Sequence, residues 1–120
     1  MIAITAQMRL MCFTKPVDFR KGIDGLVGVC RTTLKDEDPF SGTVFLFINR
    51  SSTTLKIIVY DGQGFWLCMK RLSKGRFHYW PKDKSDVSRL LARDIHVILW
   101  NGDPRKALMG SDFRELAQST

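Results

Sequence analysis

The sequence predicts an α+β fold, a single domain in which a mainly antiparallel β-sheet of four to five strands packs against two main helices. Two observations indicate this class. Apolar residues recur at helical spacing near both ends of the chain, and short β-branched and aromatic runs with hairpin signals lie between them. A length of 120 residues, 44% of them hydrophobic, is enough for one buried core. We expect one domain over 1–120, with its core at about 8–102 and a weakly structured tail over 103–120.

The amino-terminal part predicts a strand and then a helix. The short apolar run Met8–Phe13 is typical of a strand, and Pro16 ends it because proline has no N–H and restricts the residue before it. The helix that follows begins near Asp18, whose negative charge suits a helix amino terminus. Arg20 and Asp24 are four residues apart and can pair on its exposed side. One apolar stripe defines its buried side: Phe19, Ile23, Leu26, Val27, Cys30 and Leu34.

Three glycines interrupt this helical pattern, at Gly22, Gly25 and Gly28. Each glycine costs about 1 kcal/mol relative to alanine inside a helix. The close approach of another backbone would explain why glycine is present, and the alternative is an irregular helix. The two explanations differ in whether a second chain segment crosses the helix at these positions.

The middle of the chain predicts a loop and then a series of hairpin-connected strands. Asp36–Gly42 contains Asp-Pro and Ser-Gly steps, which are typical of loops. Asp61–Gly64 and Ser73–Gly75 carry the glycines of tight hairpin turns. The four predicted strands are Thr43–Asn49, Leu55–Tyr60, Phe65–Leu72 and Arg76–Trp80.

The carboxyl-terminal part predicts a helix bounded by Ser85 as N-cap and by Asn101 and Gly102 as a stop signal. The short apolar run Val97–Trp100 leaves a strand open as an alternative for that part. A weak helix is expected within Ser111–Gln118. The apolar stripe of the main helix comprises Val87, Leu90, Leu91, Ile95, Ile98 and Leu99.

The turn lengths decide which side chains share a face of the hairpins. Three-residue turns place Lys56 opposite Lys70, and Lys70 opposite His78. A two-residue turn around Gly62 and Gln63 would instead shift one strand by one place and exchange its faces. With three-residue turns, one face alternates cations and aromatic rings, namely Lys56, Tyr60, Trp66, Lys70, Arg76, His78 and Trp80.

This basic-aromatic face has two interpretations. Cations interleaved with rings can hold a phosphate backbone and stack on bases. The alternative is that Trp66 and Trp80 are covered by a helix, as large aromatic side chains usually are.

Positive charge is concentrated in one stretch of the chain. The stretch from Lys70 to Arg93 holds eight of the nineteen basic residues and only two acidic ones, so it carries nearly all of the net charge of +7. The isoelectric point is about 9.7. A concentrated positive field beside aromatic rings favours a nucleic acid as partner. The alternative is a solvated basic face that keeps the protein in solution.

Several classes of chemistry find no support in the sequence. Three widely spaced cysteines without a C-x-x-C pair fit buried thiols in a reducing cytoplasm better than disulfides or zinc ligands. Ten Asp and two Glu form no carboxylate cluster, and no Ser-His-Asp, Cys-His or glycine-rich phosphate motif occurs. No apolar run is long enough to span a membrane. We therefore expect a non-enzymatic cytoplasmic protein with no metal, no cofactor and no membrane partner.

An ordered series of motifs covers most of the chain, from about residue 8 to residue 115. The motifs are Asp18–Leu26, Asp38–Gly42, Val44–Phe47, Lys56-Ile57, Asp61–Phe65, Lys70–Leu72, Gly75–Phe77, Trp80-Pro81 and Leu99–Pro104. Together they resemble the transposase accessory proteins (TnpB) encoded by the second open reading frame of bacterial insertion sequences of the insertion-sequence-66 type. That family is distinct from the RNA-guided nuclease that shares the name.

The resemblance implies a role in DNA transposition beside a separate transposase, and it implies no catalytic residues. The expected partners are DNA, at the element ends, together with the element's transposase and its other accessory protein. An adaptor that docks on the transposase without touching DNA is the alternative. This chain has Ser51–Thr54 where many members carry further basic residues. Family motifs and the basic-aromatic stretch together give the predicted nucleic-acid-binding residues: Arg20, Lys21, Arg50, Lys56, Lys70, Arg71, Lys74, Arg76, His78, Trp80 and Lys82.

Overall fold

A five-stranded mixed sheet, covered on both faces, is the centre of the computed structural model, which describes residues 4, 5 and 7–106. The elements are β1 (Leu10–Phe13), α1 (Ile23–Thr33), a short 3-10 turn (Pro39–Ser41), β2 (Val44–Ile48), β3 (Thr54–Tyr60), β4 (Phe65–Arg71), β5 (Val87–Leu90) and α2 (Ala92–Leu99). The strands lie in the order β4-β3-β2-β1-β5. Among these five strands, β1 and β2 form the one parallel pair. The predicted α+β class, with a mainly antiparallel sheet and two main helices, is confirmed.

Both faces of the central strands are apolar, and all five residues of β2 are buried. Successive side chains of a strand point to opposite faces, so each strand contributes to two cores. On the α1 face, α1 packs against the strands through Met11, Phe13, Leu26, Val27, Cys30, Phe45, Phe47 and Ile58. On the α2 face, α2 and the segment 72–81 pack through Leu10, Cys12, Val44, Leu46, Ile48, Leu55, Ile57, Val59, Phe77, Ile95 and Ile98.

The start of α1 differs from the prediction. The helix begins at Ile23, with Gly22 at its N-cap, five residues after Asp18. Asp18 instead accepts bonds from the backbone N–H and the guanidinium of Arg20, which closes a tight turn ahead of the helix. Arg20 therefore pairs with Asp18 and not with Asp24.

The predicted backbone contact at the helix glycines is wrong. A Cβ on Gly25 would lie 2.8 Å from the Cβ of Lys21, which belongs to the preceding turn, and nothing lies within 4 Å of such an atom on Gly28. Within the described part of the chain, no second backbone approaches either position. The structure offers no packing reason for Gly28.

The β3–β4 hairpin has the shorter of the two turns considered above. The N–H of Asp61 donates to the carbonyl of Gly64, which closes the turn around Gly62 and Gln63. The Asp61 carboxylate stabilises this turn because it accepts the N–H groups of Gln63 and Gly64. Lys56 therefore pairs with Met69 and not with Lys70.

This register exchanges the faces of β4 relative to the three-residue-turn prediction. Trp66, Cys68 and Lys70 share a face with Leu55, Ile57 and Val59, which line the α2 core. The residues directed to the α1 side are Phe65, Leu67, Met69 and Arg71.

Two predicted elements of the carboxyl-terminal half are wrong. Arg76–Trp80 forms no strand, and its Phe77 packs into the α2 core while donating its N–H to the carbonyl of Ser52. Val87–Leu90 is not the first turn of a helix but a strand that pairs with β1.

Within the predicted carboxyl-terminal helix, α2 occupies only the second part, and it ends at Leu99 just before the predicted stop at Asn101. The strand considered for Val97–Trp100 does not form. The weak helix predicted for Ser111–Gln118 lies outside the described residues. Over residues 4, 5 and 7–106, no helix has the length and apolar character needed to cross a bilayer.

Candidate nucleic-acid interface

The open basic-aromatic sheet face does not form, because its members are divided between the two sides of the sheet. Lys56 lies on the α1 side and Lys70 on the α2 side. Arg76, His78 and Trp80 belong to an irregular segment. Four members of that predicted face also have a partner within the chain, namely Lys56, Lys70, His78 and Trp80.

Lys56 is buried, with 7% of its surface exposed. Its Nζ donates to the carbonyl oxygens of Phe19 and Lys21, at 2.9 and 3.0 Å, and lies 4.9 Å from the centre of the Phe19 ring. Charged donors form stronger hydrogen bonds than neutral ones. Lys56 therefore holds the segment that precedes α1 against β3.

Lys70 and Trp80 are also used inside the chain. The Nζ of Lys70 donates to the carbonyl of Leu99, and it lies 5.3 Å from the centre of the Trp100 ring. A positive charge at the carboxyl end of α2 stabilises the helix through its dipole. Trp80 is partly buried against the α2 core, and its Nε1 donates to the carbonyl of Phe13 at 2.9 Å. Trp80 therefore anchors the segment 72–81 to the end of β1.

His78 is exposed but held at the end of α2. Its backbone N–H donates to Oδ1 of Asn101 at 2.7 Å, and its Nδ1 lies 3.1 Å from the carbonyl oxygen of Asn101. The amide of Asn101 in turn donates to the carbonyl of Arg76. This contact fixes the backbone of 76–78 beside the helix terminus.

Three loop segments meet at one end of the sheet, which we call the basic end: residues 14–21, 49–53 and 71–86. β1 and β2 are parallel, so the segments that follow them leave the sheet at the same end. Val17 N–H donates to the carbonyl of Ile48, and Phe77 N–H to that of Ser52. Thr14 N–H donates to the carbonyl of Asp86. These backbone contacts join the three segments directly.

The basic end carries nine basic residues and three acidic ones. Two of the acidic residues are paired, Asp18 with Arg20 at 2.7 Å and Asp86 with Lys15 at 3.0 Å. Seven cations of the basic end are exposed and form no ion pair with any described residue: Lys21, Arg50, Arg71, Lys74, Arg76, Lys82 and Lys84. These seven side chains are available to an anionic ligand.

The opposite end of the sheet has the opposite charge balance. It comprises the segments 7–9, 34–43, 61–64 and 91–94, which hold five acidic and three basic residues. Glu37 pairs there with Arg9 at 2.8 Å. The molecule is therefore electrically polarised along its strands, with the positive potential focused on the basic end.

A groove opens at the basic end between two of its segments. Its walls are residues 16–20 on one side and 49–51 on the other. The guanidinium of Arg20 lowers the pKa of the Asp18 carboxyl to about 2, mainly through their side-chain hydrogen bonds, so that this pair persists at neutral pH. Asn49 accepts the N–H groups of Thr53 and Thr54, which fixes the turn that carries Arg50.

The metal-ligating side chains of the described part of the chain are dispersed, and two of its thiols are buried. No group of three or more His, Cys, Asp or Glu side chains there could hold a metal ion. Cys12 and Cys30 are buried free thiols. Burial raises the pKa of the Cys12 thiol far above its usual range and that of Cys30 to about 12, so both stay protonated at neutral pH.

The structure assembles part of the predicted residue set and separates the rest. Arg20, Lys21, Arg50, Arg71, Lys74, Arg76 and Lys82 share the basic end. Lys56 and Lys70 lie in strands outside it, where each donates to backbone carbonyls. His78 and Trp80 belong to the segment 71–86, but they are held there by Asn101 and Phe13. The prediction missed Lys15 and Lys84, although Lys84 lies within the basic stretch that the charge count had identified.

Comparison with known proteins identifies one family. A family model described as IS66 Orf2 like protein matches residues 8–108. The uncharacterized protein y4jC of Sinorhizobium fredii (strain NBRC 101917 / NGR234) is 38% identical over 81 residues, which are 68% of each chain. The uncharacterized protein y4hO of the same strain is 38% identical over 92 residues, 77% of this chain and 78% of the relative. No solved structure matches the chain significantly.

Proposed function

The chain belongs to the family of IS66 Orf2-like proteins, and from this premise we propose that it is a non-enzymatic accessory factor of transposition that binds DNA through its basic end. The observation that carries the proposal is the convergence, from three separate segments, of seven exposed cations that pair with no described acidic residue. Lysine and arginine side chains held on fixed loops are typical contacts for phosphate oxygens.

The proposed contact is with the DNA backbone rather than with stacked bases. The central rings of the basic stretch are turned inward or anchored, with Phe77 in the core and Trp80 bonded to the carbonyl of Phe13. Phosphate contacts release counterions, so the affinity should fall steeply with salt. Such contacts fix position and carry little sequence information. We propose that preference for element ends comes from the transposase or the other accessory protein.

Binding of the full chain to element-end and random DNA, measured over a salt series, tests the proposal. Replacing Arg50, Arg76 and Lys82 by alanine should weaken binding to both DNAs similarly, and the log–log salt slope should fall by about 0.9 for each phosphate that the variant no longer neutralises. The matched control replaces Lys35, Arg89 and Arg93, which are exposed, lie away from the basic end and form no ion pair with any described residue. It removes the same charge and should change the slope much less. Equal slopes for both triple variants would reject the basic end as the interface.

An adaptor that docks on the element's transposase without touching DNA is the second candidate. Trp100 favours it, because 85% of its surface is exposed beside Lys70 at the end of α2. Exposed tryptophan is a frequent anchor of protein interfaces. Replacing Trp100 by alanine separates the candidates: the adaptor loses affinity for the transposase, whereas a DNA contact through the basic end keeps its affinity and salt slope.

A further inference from the structure

β4 is an edge strand with a free side. It pairs only with β3 among the described residues. Leu72 N–H donates to Thr53 and Gly64 accepts from Asp61, and hydrogen-bonding direction alternates along an antiparallel strand. Trp66, Cys68 and Lys70 therefore direct their backbone groups towards β3. The backbone groups of Phe65, Leu67, Met69 and Arg71 point away from the sheet, where no described residue pairs with them.

The exposed side chains of this strand are unusual for an unpaired edge. Trp66 is 49% exposed and Met69 is 61% exposed. Long edge strands with apolar side chains and no proline are templates for pairing with another strand. We propose that β4 is the interface of a symmetric dimer, in which the β4 strands of two copies pair antiparallel and join the two sheets into one of ten strands.

The sequence of β4 selects the register of this pairing. The free backbone groups belong to odd-numbered residues, and in the antiparallel pair these must bond the odd-numbered residues of the second copy. The numbers of two partners therefore add to an even number, which places the two-fold axis at a residue and not between residues. An axis at Cys68 is the one that pairs all seven residues of the strand. It places Trp66 opposite Lys70 of the second copy, Leu67 opposite Met69, and Phe65 opposite Arg71. The pair of Phe65 and Arg71 joins a ring to a cation, and the pair of Leu67 and Met69 is apolar, which are favourable cross-strand combinations. Trp66 lies beside the aliphatic stem of Lys70, whose amine is bonded to the Leu99 carbonyl of its own chain.

Charge at the ends of the strand fits the same register. Antiparallel pairing brings the turn containing Asp61 of one copy to the loop containing Lys74 of the other. The Asp61 carboxyl has a lowered pKa because it accepts the N–H groups of Gly64 and Gln63, and it is therefore anionic at neutral pH. The two basic ends then lie at opposite extremes of the joined sheet, so their like charges stay apart.

The mass of the full chain in solution is the first test. Sedimentation velocity in reducing buffer should give a concentration-dependent species of twice the 13.8 kDa chain mass. The measurement needs no DNA, so its outcome is independent of the proposed function. A constant mass of one chain up to high micromolar concentration overturns the dimer.

A charge pair at position 66 provides the matched variants. Trp66→Lys places lysine opposite Lys70 of the second copy at two symmetric sites, and it should weaken dimerisation by about tenfold or more. Trp66→Glu places a carboxylate there and should retain the dimer. Within one chain the effect is reversed, because Asp61 lies beside Trp66 and favours lysine over glutamate. A folded Trp66→Lys chain that still dimerises as well as Trp66→Glu overturns the interface.

Cys68 reports the register. In the proposed dimer it faces its own copy at a position without backbone hydrogen bonds between the strands, where the Cα atoms are about 4.5 Å apart. That distance is within the range that a disulfide spans. Mild oxidation should link the dimer through Cys68. Because Cys12 and Cys30 are buried, Cys68→Ser should abolish this link, while the non-covalent dimer persists. A dimer that does not link, or that links in Cys68→Ser, overturns this register.

Discussion

Lys56 illustrates how a basic residue inside a nucleic-acid-binding pattern can serve the fold. Its position in β3 between Leu55 and Ile57 gives no sign of burial, because alternation predicts an outward side chain if only one face of the sheet is covered. The helix α1 and the segment before it cover that outward face, so the amine needs partners and finds two backbone carbonyls in the turn that ends at Lys21. Trp80 shows the same change of role, from a predicted stacking ring to an anchored side chain.

Lys56→Met should lower the free energy of unfolding by about 1.5–3 kcal/mol, because the carbonyls of Phe19 and Lys21 lose a charged donor while the side-chain volume is kept. Urea unfolding measures the change. Lys74→Met is the control, since Lys74 is exposed with no ion pair to a described residue, and it should shift stability by less than about 0.5 kcal/mol. Equal effects of the two substitutions would contradict the structural role of Lys56.

At the scale of elements, the strands and helices could be predicted where residues close in sequence decide the conformation. β2, β3 and β4 were predicted within two residues because β-branched runs and the Asp61 turn are local features. Val87–Leu90 was misassigned because Val87, Leu90 and Leu91 fit a helical stripe, whereas pairing with β1 decides the conformation. The β4 faces depended on a turn length that differs by one residue, which propensity alone does not resolve.

The apolar stripe faces the sheet as predicted from Ile23 onwards, whereas Phe19 precedes the helix, and the predicted burial of Phe19 and Ile23 is only partial. Leu26 is fully buried, whereas Phe19 and Ile23 are only partly buried because they lie at and before the first turn of α1. Leu26→Ala should therefore cost about 3–5 kcal/mol of stability, and Ile23→Ala about 2 kcal/mol or less. Chemical denaturation of both variants checks the order, and a larger destabilisation by Ile23→Ala would mean that α1 starts earlier than Ile23.

At the scale of the whole molecule, the charge count located the basic stretch but not the site. Arg20 and Arg50 lie far from that stretch in the sequence, and they join it because β1 and β2 are parallel and α1 connects them on one face. Parallel pairing depends on the crossover as a whole, and no local motif encodes it. Most of the cations of the basic end could therefore be predicted from the sequence. Their assembly from three segments could not, because it depends on the tertiary fold.

The strand order also has a consequence for the route of folding. β2, β3 and β4 are consecutive hairpins and need only short loops to close, whereas β1 joins β2 across α1 and joins β5 from the far end of the chain. Closing long loops costs entropy before contacts repay it, so pairings distant in sequence form late. Leu55 in β3 and Leu10 in β1 are equally buried, at 1% exposure. Leu55→Ala should therefore mainly slow refolding, and Leu10→Ala should mainly accelerate unfolding, as stopped-flow kinetics would measure. The reverse result would mean that the three-stranded meander completes a structure nucleated by the amino-terminal crossover.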